Sequence, residues 1–399
     1  WVPVPAYGRR MRLALEDRLA GMQAEAESSG CNRVIEGGRE LGVIAPGIAY
    51  QYASEVFPGA SFLKLGMSYP FPDALIREFA AGVGRLLVVE ELDPILEEHI
   101  RSLGIEVVGK ALVPAIGELS VDALGRARAE LSGQAWTAPA SGAPTDLPPR
   151  PPVLCPGCPH RGLFTALKKF NVVVTGDIGC YSLGVFPPLS RIDTILCMGA
   201  GVTAALGMAK AGLRDRKIVG IVGDSTFFHS GVTGLLDVAY NKGNVTIIVV
   251  DNRSTAMTGH QDHPGTGKTL MGEPTHAASI EAIGRACGIQ RVRTVSPLDL
   301  GATEAVLREE LAADEPSLIV SRYPCILLDR KRVDKIRRID PQACRGCKLC
   351  AGTGCPAIEA VTRESDGKGI YRINPLVCMG CSVCQQVCKF GAISAAEQA

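Results

Sequence analysis

Short continuous apolar runs punctuate the chain at Leu41–Ala45, Leu86–Glu90, Val172–Val174, Ile218–Val222 and Val245–Val250. Such runs, apolar at successive positions rather than alternate ones, read as strands covered on both faces of a parallel sheet. Between the first two and just after, Asp73–Gly82 and Pro94–Leu103 carry the spacing of amphipathic helices, and Ile105–Val108 reads as a further strand. The pattern thus predicts α/β architecture twice: a smaller domain over 31–131 and a doubly wound parallel sheet over 153–328. Residues 1–30 read as a helical segment or linker. The stretch 132–152, with Pro139, Pro144, Pro148, Pro149, Pro151 and Pro152 among small residues, reads as an extended linker. From 329 the pattern changes to a basic run (Arg330, Lys331, Arg332, Lys335, Arg337, Arg338) and then a cysteine-rich tail.

Composition sharpens this only in places. In 399 residues, 46% are hydrophobic and 21% charged, enough apolar material for more than one core. A net charge of +1 gives no general argument for nucleic acid or an anionic membrane. No uncharged run approaches the about 20 residues of a membrane span, and Trp1-Val2-Pro3-Val4-Pro5 has no signal-peptide layout. Eight of the fifteen cysteines fall between Cys344 and Cys388, in triplets two residues apart. That spacing suits metal ligation rather than disulfides and points to a reducing, cytoplasmic compartment. The remaining isolated thiols, Cys31, Cys197 and Cys287, are expected to be buried packing residues.

The two cysteine runs are Cys344-x2-Cys347-x2-Cys350-x4-Cys355-Pro356 and Cys378-x2-Cys381-x2-Cys384-x3-Cys388. Three thiolates two residues apart can wrap one cubane, and in two-cluster ferredoxins the fourth ligand comes from the other run. One [4Fe–4S] cluster is therefore expected on Cys344, Cys347, Cys350 and Cys388, and a second on Cys378, Cys381, Cys384 and Cys355. A pair of zinc knuckles is the alternative, disfavoured because zinc prefers paired CxxC units, often with His.

Gly223-Asp224-Ser225 and Asp251-Asn252 each end a predicted buried strand. A carboxylate and an amide oxygen at neighbouring strand ends can share one hard cation, Mg2+, and leave positions free for diphosphate oxygens. The spacing resembles a thiamine-diphosphate motif, with Ser225 where a glycine is usual and Asp251 where an asparagine is. Gly199-Ala200-Gly201 opens a small-residue helix whose amides could cradle phosphate, Gly176-Asp177-Ile178-Gly179-Cys180 is a second glycine turn, and Met257 could line the thiazolium. Cys155, Cys158, Cys180 and Cys325 are a candidate quartet for a third cluster; the alternative is that they only pack. His160 and His260, embedded in glycine and proline turns, are the histidines placed to touch cofactor or substrate.

The segments CPGCPHR (155–161), GDIGCYSLG (176–184), GDSTFFHSG (223–231) and AMTGHQDHPGTG (256–267), with GCPA (354–357) in the tail, resemble the α subunits of indolepyruvate:ferredoxin oxidoreductases. APGIAY and VVEELDP in 31–131 resemble that family's transketolase C-terminal-like domain, so the likeness covers nearly the whole chain. It implies thiamine diphosphate and Mg2+ on Asp224 and Asn252, and a proximal cluster at Cys155, Cys158, Cys180 and Cys325. It implies oxidative decarboxylation of aryl 2-oxo acids (indolepyruvate, phenylpyruvate), coenzyme A as acyl acceptor and ferredoxin as electron acceptor. A second (β) subunit and a dimer of heterodimers also follow, with no nucleic-acid or membrane partner. The basic stretch 330–338 reads first as a solvated linker face, with a ferredoxin contact as the alternative. Siblings acting on pyruvate or 2-oxoglutarate, a non-catalytic electron-transfer subunit and a decarboxylase without redox chemistry are the rival readings. The family's activating glutamate sits in a pyrimidine-binding domain that is not legible here. With the sequence starting at Trp1, the expectation is that this domain lies upstream; a glutamate of residues 1–30, such as Glu16, Glu25 or Glu27, is the alternative, though that charge-rich segment reads more as a linker face.

Overall fold

In the computed structural model, residues 2–135, 137, 147, 150–329 and 333–396 are described, and they form two compact units, 1–148 and 149–399. Most of the expected linker and Arg330, Lys331 and Arg332 lie outside the described residues.

The first unit begins with helix α1 (Pro5–Ser28), of which only Ala26 is buried. A four-stranded sheet follows, built from β1 (Arg33–Ile35), β2 (Gly38–Pro46), β3 (Ala60–Leu65) and β4 (Arg85–Val88) in the order β1-β3-β2-β4. β2 runs parallel to both β3 and β4, while β1 is antiparallel to β3. Along β2 the side chains alternate between two cores. Val43 and Ala45 pack with α2 (Gly47–Val56) and α5 (Val121–Ser132), and Ile44 packs with α3 (Asp73–Ala81) and α4 (Ile95–Ser102). This two-residue period explains why the run is apolar throughout. Ile105–Val108 does not make the expected strand: Val108 forms one bridge to Leu87 and the chain turns away. The carboxylate of Glu27 accepts from the amides of Ala74 and Leu75 at the start of α3, so it caps a helix.

The second unit holds a six-stranded, wholly parallel sheet, β5 (Val172–Gly176), β6 (Thr194–Ile195), β7 (Lys217–Gly223), β8 (Thr246–Asp251), β9 (Arg291–Val295) and β10 (Ser317–Arg322), ordered β6-β5-β7-β8-β10-β9. In β8, Ile248 and Val250 enter the core shared with α6 (His160–Leu167), whereas Ile247 and Val249 enter the core shared with α7 (Ala200–Lys210). The chain leaves β5 toward β6 on one side and returns to β7 on the other. That reversal opens a crevice at the carboxyl ends of β5 and β7, where ligands of open α/β sheets bind.

The cysteine-rich tail packs against this sheet domain within the same unit. Its backbone is two small ribbons, β11 (Arg337–Ile339) with β14 (Ile393–Ala395) and β12 (Ile358–Thr362) with β13 (Gly369–Ile373). Helix α6 ties the two together: Arg161 Nη1 donates to the carbonyl of Thr353 at 2.8 Å, and Lys168 Nζ to that of Gly352 at 2.6 Å. Among the described residues no helix is long and apolar enough to cross a membrane.

Candidate active site and electron-transfer centres

Three strand ends converge on one cavity of about 540 Å³. β5 delivers Ile178, Gly179, Cys180 and Tyr181, β7 delivers Gly223, Asp224 and Ser225, and β8 delivers Asn252, Ser254 and Met257. Asp224 is 3% exposed; its Oδ1 accepts from the amide of Ser225 at 2.8 Å and its Oδ2 from that of Ser254 at 3.2 Å. Asn252 Oδ1 accepts from the same Ser254 amide at 3.2 Å, so the two oxygens face one point of backbone. Burial pushes the Asp224 carboxyl up, against the pull of His263. Asp251, in the position where the motif usually has asparagine, instead pairs with Arg322 at 2.5 Å beneath the sheet edge.

Two neighbours that the sequence reading did not single out complete this corner. Buried His263 donates from Nε2 to Asp224 Oδ2 at 3.1 Å, its tautomer set by the Gly265 amide, which donates to Nδ1 at 3.1 Å. Asp177, fully buried, accepts from the Gly199 amide at 2.7 Å and from the Tyr181 hydroxyl, joining the two glycine turns. Burial raises its pKa to about 7, the Gly199 hydrogen bond working the other way. Gly199 enters α7 at φ +89°, and a Cβ there would meet Ser230 Oγ at 2.4 Å. A Cβ on Gly201 would meet the Ile221 carbonyl at 2.3 Å, which is how closely α7 approaches β7.

The cysteines sort into three further cavities. Cys344, Cys347, Cys350 and Cys388 line one of about 320 Å³. Cys355, Cys378, Cys381 and Cys384 line a second of about 380 Å³. Cys155, Cys158, Cys180 and Cys325 line a third of about 480 Å³. Each expected quartet thus surrounds a single void, and in the first two the fourth cysteine comes from the other run. Burial pushes the Cys158 thiol up to about 12 and also raises Cys180, Cys325, Cys350, Cys381 and Cys384. Buried thiols of this kind ionise when a metal takes the proton's place. Among the described residues, no three His, Cys, Asp or Glu side chains converge as ligands of one metal ion.

The voids stand in succession. His160, Cys180, Asn252 and Ala256 line both the Asp224 cavity and the Cys155 cavity. Gly157, between Cys155 and Cys158, lines the Cys355 cavity; its φ is +74°, and a Cβ would meet Met379 Cβ at 2.6 Å. His160 is buried, its pKa lowered to about 4 by burial, and it accepts from Asn252 Nδ2 at 3.4 Å. His260 lies apart from the Asp224 corner: its Nε2 is 3.6 Å from Cys325 Sγ, and it lines the Cys155 cavity and not the Asp224 cavity. Cys31 and Cys197 are exposed rather than buried, because both sit at turns outside the cores, and Cys287 is half-buried.

The sheet domain and the tail are of two recognisable kinds, a thiamine-diphosphate-binding domain and a two-cluster iron–sulfur domain. Residues 177–321 match the thiamine pyrophosphate enzyme C-terminal TPP binding domain, and residues 336–389 match a 4Fe-4S dicluster domain. Indolepyruvate oxidoreductase subunit IorA of Methanothermobacter thermautotrophicus is 39% identical over 92% of this chain and 62% of its own length. The subunit of the same name from Archaeoglobus fulgidus is 36% identical over 90% of this chain and 61% of its own. Across the part it shares with them the chain is similar to these indolepyruvate oxidoreductase subunits; it spans about three-fifths of their length. A 2-oxoglutarate:ferredoxin oxidoreductase from Magnetococcus marinus aligns at 19% identity and TM-score 0.39 over 47% of this chain and 69% of that one, too loosely to place any residue.

Proposed function

We propose that the chain is the thiamine-diphosphate- and cluster-bearing part of an enzyme that oxidatively decarboxylates aryl 2-oxo acids such as indolepyruvate, transfers the acyl group to coenzyme A and reduces ferredoxin. A second subunit, in a dimer of heterodimers, belongs to the same proposal. The observation that carries it is the shared wall: a cysteine quartet lines a void that has four residues in common with the Asp224–Asn252 cavity.

The donor set fits its group. Asp224 and Asn252 offer one carboxylate and one amide oxygen to Mg2+, and His263 holds Asp224 in place. Ser254 Oγ is buried in the same wall with no hydrogen-bond partner among the described residues, a hydroxyl suited to a diphosphate oxygen. At the start of α7 the Gly199 amide donates to Asp177, which fixes that turn against Tyr181, and neither Gly199 nor Gly201 is among the residues lining the Asp224 cavity. His160, neutral at pH 7, stands on the boundary between the two voids as a hydrogen-bonding group. Bound there, thiamine diphosphate supplies an electron sink for the pair left when CO2 departs. Four thiolates arranged around a void suit a cubane with four corners better than one zinc, whose ligands lie at about 2.0 to 2.3 Å from a common centre.

The test is reduction of ferredoxin by the purified complex with indolepyruvate, phenylpyruvate, pyruvate and 2-oxoglutarate, with and without coenzyme A. Turnover highest with the aryl acids and dependent on coenzyme A is expected. Preference for pyruvate or 2-oxoglutarate would move the chain to a sibling activity, and release of aldehyde without acceptor reduction would make it a simple decarboxylase.

A further inference from the structure

Of the twelve cysteines in the three quartets, Cys347 of the Cys344–Cys347–Cys350–Cys388 void is the exposed one, and Leu349 (39%) and Phe390 (50%) on the same wall are exposed with it. Around these two apolar side chains stand exposed Arg345, Lys348 and Lys389, none engaged in an ion pair among the described residues. Next to them runs an open groove of about 1490 Å³ between α6 and the tail, bordered by Lys168, Lys169, Lys348 and Lys389. Its single carboxylate, Glu304, is consumed by Lys169 at 2.6 Å. A chain of net charge +1 has therefore gathered an uncompensated positive rim around a small apolar patch over one cysteine quartet.

We infer that this patch, Leu349 and Phe390 ringed by Arg345, Lys348 and Lys389, is the docking surface for an acidic one-electron carrier protein. The inference rests on the proposed function, since it presumes a cluster at Cys344, Cys347, Cys350 and Cys388. The chemistry is one electron leaving a reduced cluster and entering the oxidised carrier, with no bond made or broken. Charge complementarity speeds encounter with an acidic partner, and the apolar centre allows close approach of the two redox groups. The basic stretch at 330–338 is less suited. Arg337 is buried and held by Gln385, Asp334 and the Lys335 carbonyl, which leaves Lys335 and Arg338 as exposed cations among its described residues.

The experiment uses the iron-loaded complex, reduced beforehand with dithionite and mixed by stopped flow with an oxidised acidic ferredoxin or with methyl viologen. This readout needs no 2-oxo acid, so it separates the surface from the substrate assignment. Lys348→Gln/Lys389→Gln should slow the second-order reduction of ferredoxin by about tenfold at low ionic strength and flatten its salt dependence, with viologen unchanged. Iron content and visible spectrum verify that the quartet is filled; if that variant loses iron, Arg345→Gln with Lys389→Gln replaces it. Unchanged ferredoxin kinetics, or equal slowing with viologen at full iron content, would overturn the inference. So would unchanged ferredoxin kinetics with a raised KM for coenzyme A, which would make the rim a polyphosphate site.

Discussion

Arg161 is the least expected side chain in the molecule. It is 2% exposed, and its three hydrogen bonds all go to carbonyls, those of Thr353 (2.8 Å), Leu154 (2.5 Å) and Cys155 (3.1 Å). Its Nε is buried without a partner, and no carboxylate ion-pairs with it among the described residues. A buried guanidinium with no counter-ion costs several kcal/mol, so an anion belongs nearby. The side chain lines the Cys355–Cys378–Cys381–Cys384 void and touches the loop that carries Cys155 and Cys158. Two thiolate-ligated clusters, each a net anion, would supply the missing charge from both sides. A cation about 8 Å from a redox centre in an effective dielectric of about 20 interacts by about 2 kcal/mol. A favourable interaction of that size with the reduced state raises a one-electron potential by about 90 mV. Arg161→Met should therefore lower the potentials of the two flanking clusters by that order and leave the Cys344 cluster nearly unmoved. Arg161→Lys keeps the charge and loses part of the hydrogen bonding, so it should restore most of the shift. The assay is a redox titration followed by electron paramagnetic resonance on the iron-loaded chain. Equal potentials in wild type and Met variant, or equal shifts in Met and Lys variants, would refute the electrostatic argument.

Three further outcomes are expected. In a chain whose Cys378, Cys381 and Cys384 are replaced by Ser, adding Cys355→Ser should remove no further iron, whereas membership of its own run predicts loss of about four more; iron analysis of the two variants decides. His263→Ala leaves Asp224 without its orienting partner and should weaken thiamine diphosphate and Mg2+ binding by about ten- to a hundredfold in calorimetry; unchanged affinity would remove His263 from the site. Asp177 carries a folded-state pKa of about 7 against 3.8 as its reference value. The folded chain thus holds a proton that the unfolded chain releases, and stability falls as pH rises between those values, by at most about 4 kcal/mol. Asp177→Asn should flatten the loss between pH 5.5 and 8 in urea unfolding, and an unaltered pH dependence would show that Asp177 is ionised throughout.

What could be read from the sequence, and what could not, divides along the range of the interactions. The grouping of the tail cysteines around two voids was legible because three of each set are two residues apart and two such triplets share space crosswise. Strands β5, β7 and β8 were legible because both faces are buried and their central positions are apolar without a break in β8 and broken by glycine alone in β7. Ile105–Val108 misled for the same reason: apolar residues also fill a bridge and a turn, and period alone does not tell them apart. His263 carried no local mark. It reaches Asp224 only because the loop after Gly259 doubles back over 39 residues of separation. Arg161 stood in plain view in the CPGCPHR segment, but its meaning depends on Thr353, 192 positions away, folding against α6. A lone arginine beside two cysteines reads as a solubilising charge until the tail closes over it. The residues hidden from the sequence are therefore those that join one element to another: His263 to the strand ends, Asp177 between the two glycine turns, Arg161 between sheet domain and tail. Each is a buried polar group whose partner lies on a different segment, and burial without that partner would be costly. Such groups persist in a core when the assembled fold supplies their counterpart, which makes them pointers to the cofactors that complete it.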